Sequence, residues 1–175
     1  VGDVRDAFDE DPFEFEDTDG NGVGDVADLD DDGDGFSDAE ELVDGTNPKN
    51  RFSCKSGCFS FDIDESQAAQ PLTDGLLVIR HLFGFSGDAL TAGAVAGLAG
   101  RATSEDITAY LRGADAELDI DGNGKSEPLT DGLLLIRYLF GFSGDALIAG
   151  AIGSGAARDT AAAVEAYIKA RVPVQ

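Results

Sequence analysis

The sequence predicts a mainly α protein: an irregular acidic segment at the N-terminus, then two pseudo-symmetric loop-and-helix repeats. Three observations carry that prediction. Residues 62–85, DIDESQAAQPLTDGLLVIRHLFGF, return 57 residues later as residues 119–142, DIDGNGKSEPLTDGLLLIRYLFGF. The same offset holds through Arg101 and Arg158, Thr103 and Thr160, and Tyr110 and Tyr167, so residues 62–118 and 119–175 are two copies of one unit. Residues 1–50, in contrast, hold 19 acids against only Arg5 and Lys49 and show no helical or strand period.

Within that acidic segment the carboxylates are spaced regularly. Asp17, Asp19, Asn21, Gly22, Asp25 and Asp28 fall at positions one, three, five, six, nine and twelve of a loop. Asp30, Asp32, Asp34, Gly35, Asp38 and Glu41 fall at the same positions of a second loop directly after it. A hard cation such as Ca2+ takes six to eight oxygens, and a short loop supplies them by alternating side chains, a glycine for the sharp turn, one backbone carbonyl and a late bidentate carboxylate. The second loop, DDDGDGFSDAEE, meets every requirement, with the carbonyl at Phe36 and Glu41 as the closer. A solvated acidic linker is the bland alternative, but a random acidic run does not place glycine at position six twice. Asp3, Asp6, Asp9 and Asp11 are further candidate ligands, and Phe8, Phe13 and Phe15 are candidates for packing.

The tandem loops, the GNG and GDG turns, the following Gly45-Thr46-Asn47-Pro48 and the preceding DAFDEDP resemble thrombospondin type 3 repeats of bacterial extracellular proteins. That resemblance covers residues 1–50 and implies a chain wrapped around a line of calcium ions with little regular structure. One or two helical turns are expected over residues 38–43, where Ala39, Glu40, Glu41 and Leu42 favour helix, ended by Asn47-Pro48.

Residues 51–61 read as a linker carrying the only cysteines, Cys54 and Cys58. Two thiols with no nearby histidine are too few for zinc, which leaves a disulfide or free thiols. An extracellular setting, where calcium is plentiful, is consistent with a disulfide.

Each repeat opens with an ion loop. In the second copy the ligands are Asp119, Asp121, Asn123, a carbonyl at Lys125 and the closing Asp131; in the first they are Asp62, Asp64, Ser66 and Asp74. The closer stands at position thirteen rather than twelve, and the extra residue is expected around Glu127-Pro128-Leu129. The first copy has Gln67 where the second has Gly124, so the 62–74 loop is expected to be the weakest, and the 30–41 loop the tightest, because affinity rises with charged ligands and rigidity. In all, about four to six ions are expected.

After each loop comes a helix of about ten residues, with Thr130 as the expected N-cap, Asp131 in the first turn and Gly141 as the stop. No comparable helix is expected to lead into either loop. A loop followed by a helix ending in IRYLFG, present twice, resembles type I dockerin modules, which implies a calcium-folded domain that docks another extracellular protein. Asp88 and Asp145 are expected to N-cap a short Ala-rich helix rather than bind ions. A last helix starts at Thr103 or Ser104 and presents Ile107, Tyr110 and Leu111; Val164, Tyr167 and Ile168 repeat that face, and Pro173 ends it. The first helices, residues 76–83 and 133–140, are apolar nearly all round and are expected to bury several faces against each other about a pseudo-twofold axis. Phe85 and Phe142 are the candidates for an exposed docking patch.

A net charge of −23 leaves no basic footprint for nucleic acid. No apolar run approaches the roughly 20 residues of a membrane span. The chain begins at Val1 and reads as a piece of a longer protein. No catalytic motif occurs, and His81 aligns with Tyr138 of the other copy, as a helix-face residue would. Two functions follow: a non-catalytic calcium-binding module of a secreted or surface protein that docks a partner protein or an adjacent domain, or a calcium-stiffened spacer beside a catalytic or adhesive domain.

Overall fold

The computed structural model describes residues 16–51 and 58–173, and the chain divides into two compact units, residues 1–58 and 59–175. Among the described residues there are helices and no strands. Asp3, Asp6, Asp9, Asp11, the three N-terminal phenylalanines and Cys54 lie outside the described residues, and with Cys54 the Cys54–Cys58 pairing.

Among its described residues the first unit holds one helix, α1 (Asp38–Asp44). Ser37 and Glu40 cap it reciprocally, each accepting from the other's backbone N–H, and Gly45 ends it in the left-handed conformation that glycine adopts most readily. The stop is therefore Gly45, ahead of Asn47-Pro48.

The second unit carries α2 (Asp74–Leu82), α3 (Asp88–Thr91), α4 (Ser104–Gly113), a 3₁₀ turn (Asp115–Leu118), α5 (Asp131–Leu139), α6 (Asp145–Ile148) and α7 (Ala161–Lys169). Its core is built from equivalent positions of the two copies. Phe61 and Leu118, Ile63 and Ile120, Leu77 and Leu134, Val78 and Leu135, Leu90 and Leu147, Ile107 and Val164, and Leu111 and Ile168 are all buried. Removing these side chains from water supplies the main drive for the fold, at about 25 cal/mol per Å².

α2 and α5 pack directly against each other, and glycine permits it. A Cβ on Gly75 would lie 3.2 Å from Ile136 Cγ1, and one on Gly132 would lie 3.0 Å from Ile79 Cγ1. The start of each helix thus rests on later turns of the other. Arg80 and Arg137, which interrupt these apolar helices, each donate from Nη1 to two carbonyls: those of Leu90 and Ala92, and of Leu147 and Ala149. The two ends of the unit also meet, Phe61 N donating to Arg171 O at 2.7 Å.

Several local expectations change. Thr73 and Thr130 stand at the N-cap positions of α2 and α5, as expected for Thr130, but make no side-chain cap bond; Thr130 Oγ1 instead donates to Asp131 Oδ2. Asp88 and Asp145 stand inside the first turns of α3 and α6, behind Gly87 and Gly144, and are not N-caps. Thr103 and Thr160 do cap α4 and α7 through their side chains. α7 ends at Lys169, before Pro173. α4 and the 3₁₀ turn lead into the second loop, so that loop does follow helical chain, broken only at Ala114. Phe83, Phe85, Phe140 and Phe142 are about half exposed, so α2 and α5 are buried on fewer sides than their composition suggests. No helix among the described residues is long and apolar enough to cross a membrane.

Candidate metal centres

Three groups of carboxylates converge, each with ligand atoms within 4.8 Å of one another: Asp30, Asp32 and Asp34; Asp62, Asp64 and Asp74; and Asp119, Asp121 and Asp131. All three lie in the alternating loops, and in each the backbone turns so that N–H groups hold the carboxylates inward.

In the 30–41 loop, Asp30 accepts from Asp34 N and Gly35 N, and Asp34 Oδ1 accepts from Phe36 N. Glu41, the closer, is only 2% exposed, and neither of its carboxylate oxygens has a hydrogen-bond partner. Asp32 is 3% exposed and its Oδ2 is likewise unpartnered. A buried acceptor without a donor costs about 1–3 kcal/mol, and a charged one more. Burial, followed by the neighbouring Asp32 and Asp34, pushes the Glu41 carboxyl up to about 7. Burial and Asp34 push Asp32 up to about 6. Asp31, also buried with an unpartnered Oδ1, is raised to about 6 by burial and by Asp38 and Asp25. Asp38 lies outside the cluster, its Oδ1 accepting from Asp31 N. Cys58 Sγ lies 2.8 Å from Asp34 Oδ2. A divalent cation fits this loop, because it would supply what Glu41 and Asp32 lack.

The 17–28 loop repeats the backbone but not the convergence. Gly22 N donates to Asp17 Oδ2 as Gly35 N does to Asp30 Oδ2, both at 3.1 Å. Yet Asp28 accepts from Asn21 Nδ2 and its own following N–H groups, and Asp19 turns toward Gly33, where an added Cβ would lie 2.6 Å from Asp19 Oδ2. Asp25 is held by Lys49, whose Nζ lies 2.7 Å from it and 2.7 Å from Glu16. Burial works against ionisation of Asp25, but the bonds from Lys49 and Thr18 outweigh it and lower its pKa. The sequence signal for this diversion is Lys49 itself, one of two bases in the segment.

In the helical unit the closers are fully buried and fully partnered. Asp74 Oδ1 accepts from Ile63 N and Asp64 N, and Oδ2 from Gln70 N and Thr73 Oγ1. Asp131 accepts from Asp121 N, Glu127 N and Thr130 Oγ1. The extra loop residue is absorbed by a wide turn, Gly132 N donating to Glu127 O and Gly75 N to Gln70 O, five residues back in each case. Burial raises the pKa of Asp74, and burial with Asp131 and Asp119 raises that of Asp121. Asn123 Oδ1 is buried without a partner, at the place of a position-five ligand. Ser66, its counterpart, turns its hydroxyl toward Ala68 O at 3.5 Å. A cation therefore fits the 119–131 loop through Asp119, Asp121, Asn123 and Asp131. The 62–74 loop offers three carboxylates in the same arrangement.

Glycine is not what shapes the first of these loops. Glu65 and Gln67 take φ of 59° and 74°, matching Gly122 at 73° and Gly124 at 85°. The Asp62 carboxylate accepts from Ser66 N and Gln67 N, just as Asp119 accepts from Asn123 N and Gly124 N. His81 lies half-buried on α2, and burial lowers its pKa.

Sequence reasoning missed the far side of each helical loop. Asp64 Oδ2 accepts from Ala96 N at 2.7 Å and Asp121 Oδ2 from Gly153 N at 2.6 Å, both 32 residues away. The identity of Arg101 and Arg158 across the repeat was the available signal.

Residues 30–50 match the family model of the bacterial TSP3 repeat, a structural, calcium-binding repeat typical of extracellular proteins. No curated protein and no solved structure matches the chain.

Proposed function

We propose that this chain is a non-catalytic calcium-binding module of a secreted or surface protein, folded and stiffened by Ca2+, that docks another extracellular protein or an adjacent domain. The observation that carries the calcium assignment is Glu41: a carboxylate 2% exposed with both oxygens unpartnered, at the closing position of a loop inside the matched TSP3 repeat. On this reading Asp30, Asp32, Asp34, the Phe36 carbonyl and Glu41 hold one ion. The 62–74 and 119–131 loops hold one each, in EF-hand-like, dockerin-like repeats related by a pseudo-twofold axis through the α2–α5 contact. The reciprocal Gly75–Ile136 and Gly132–Ile79 contacts support that axis. The docking surface is the repeated phenylalanine pair after α2 and α5.

The test is a calorimetric calcium titration of the chelated protein. At least three ions with affinities on the order of micromolar or tighter are expected, and at least about tenfold weaker binding at one site in Glu41→Gln and at another in Asp131→Ala. Failure to bind would overturn the module reading. Binding without calcium-dependent capture of a partner would favour a spacer beside a catalytic or adhesive domain.

A further inference from the structure

Both ion loops of the helical unit are gripped from behind by an arginine that lies 38 residues beyond the carbonyl it reaches. In the second repeat, Arg158 Nε donates to Ile120 O at 2.6 Å and Nη2 donates to Asp119 O. Its backbone N–H donates to Asp121 O at 2.8 Å, and Ala157 N donates to Gly122 O. The first four residues of the loop therefore each present a carbonyl to residues 157 and 158. In the first repeat, Arg101 Nη1 donates to Ile63 O at 2.5 Å, Arg101 N to Asp64 O and Gly100 N to Glu65 O. The arrangement is thus repeated within one chain.

Each guanidinium is itself held in place. Arg158 lies 4.0 Å over the Tyr167 ring and Arg101 3.7 Å over the Tyr110 ring. The tyrosines are anchored in turn to the segment entering the loop, Tyr167 through Glu117 and Tyr110 through Ser60. Gly122 leaves room for Arg158, since a Cβ there would lie 3.1 Å from its Cζ.

We propose that Arg158, and Arg101 in the first repeat, are positioning residues for the ion loops: they bind the outward carbonyls of the opening loop residues so that the side-chain oxygens of Asp119 and Asp121, and of Asp62 and Asp64, converge on the other side. Loop carbonyls beside buried Ile120 and Asp121 need donors, and a planar fork stacked on an aromatic ring is suited to supply two at once. The proposal rests on the reading that the 119–131 loop takes a cation, and it makes a distinctive claim about sign. A positive charge near a cation site repels the ion, so an arginine acting by charge alone would weaken binding and its removal would tighten it. An arginine acting as a clamp strengthens binding, and its removal weakens it.

Arg158→Lys keeps the charge and loses the fork; Arg158→Gln loses both. The clamp predicts that calcium affinity at this loop falls about tenfold or more in both variants, as for other residues that orient metal ligands. Unchanged affinity in Arg158→Lys with tighter binding in Arg158→Gln would overturn it. The second readout is amide exchange in calcium-free protein. Gly122, Asn123 and Gly124, whose N–H groups bind Asp119, are expected to exchange at least about tenfold faster in both variants, with α5 protection unchanged. Unchanged loop protection overturns the clamp whether or not calcium binds. Wild-type stoichiometry that is the same in Asp119→Asn would instead remove the cation reading and leave exchange to decide the clamp. Should Arg158→Gln fail to fold, Arg158→Lys and Arg101→Lys carry the same comparison, with the smaller effect expected at Arg101, which reaches one carbonyl with its side chain.

Discussion

Glu41 and Asp131 close loops of the same kind and are left in opposite electrostatic states. Glu41 is buried with both oxygens unpartnered, whereas Asp131 is buried with two backbone N–H groups and a threonine hydroxyl on its oxygens. Around Glu41 there is little else among the described residues to hold the chain: one helix of seven residues, and the neighbouring carboxylates Asp32 and Asp34.

 Around Asp131 the hydrophobic core of the helical unit is already complete. The first unit therefore depends on an external positive charge for what the second obtains from its own backbone, and the two should respond differently when the ion is removed.

The largest effect follows directly. Chelation is expected to abolish the ordered 30–41 loop and α1, because the buried Asp32 and Glu41, with Asp34 beside them, cannot all stay ionised without a counter-charge. The helices of the second unit are expected to persist. Amide exchange with and without chelator checks this: protection lost over residues 30–45 and retained over α2, α5 and α7. Equal loss in both units would erase the distinction.

Glu41→Gln sharpens the comparison. It removes the buried charge and one ligand oxygen's charge together, so calcium affinity at the loop should fall at least about tenfold, roughly 1.4 kcal/mol, while the calcium-free unit becomes more stable. The pH dependence has the same origin. A carboxyl raised in the folded state favours folding when protonated, so the calcium-free first unit gains stability as pH falls through about 7 toward the ordinary glutamate value of 4.5. Amide exchange over residues 30–45 in calcium-free protein, corrected for the intrinsic pH dependence of exchange, is expected to show protection returning as pH falls below about 7; no return of protection would place the Glu41 carboxyl at its ordinary value.

Much of this was legible in the sequence because loop ligands are read by position. Alternate Asp residues with glycine at position six in DDDGDGFSDAEE, and the exact recurrence of TDGLL, point to loops and helix starts without any tertiary information. What was not legible depends on partners far along the chain. Lys49 reaches back 24 residues to Asp25 and diverts the 17–28 loop from its spacing. Arg101, Arg158, Ala96 and Gly153 complete loops that local sequence describes only from one side. The Asp88 and Asp145 capping expectation failed because Gly87 and Gly144, with φ of 57° and 56°, already turn the chain into α3 and α6.

The smallest effect tests the loop judged weakest from its missing glycine. Gln67 holds φ of 74° where Gly124 holds 85°, so the first repeat keeps the wrap of the second with a residue that resists it. A side chain in that region costs about 1–2 kcal/mol, and glycine's greater freedom in the unfolded chain costs about 0.5–1 kcal/mol. Gln67→Gly should therefore stabilise the helical unit by only about 0.5 kcal/mol, near 2 °C in Tm. Gly124→Gln should lower stability by a similar amount, since nothing lies within 4 Å of a Cβ there and conformation alone decides the outcome. Calcium affinity separates this from a ligand effect. Gln67 supplies its N–H to Asp62 and no oxygen to the cluster, so Gln67→Gly should leave the ion's ligand set intact and shift affinity only as far as it relaxes the loop. A gain in affinity well beyond the gain in stability would mean that the strained loop holds its carboxylates out of place, and that the missing glycine weakens the site after all.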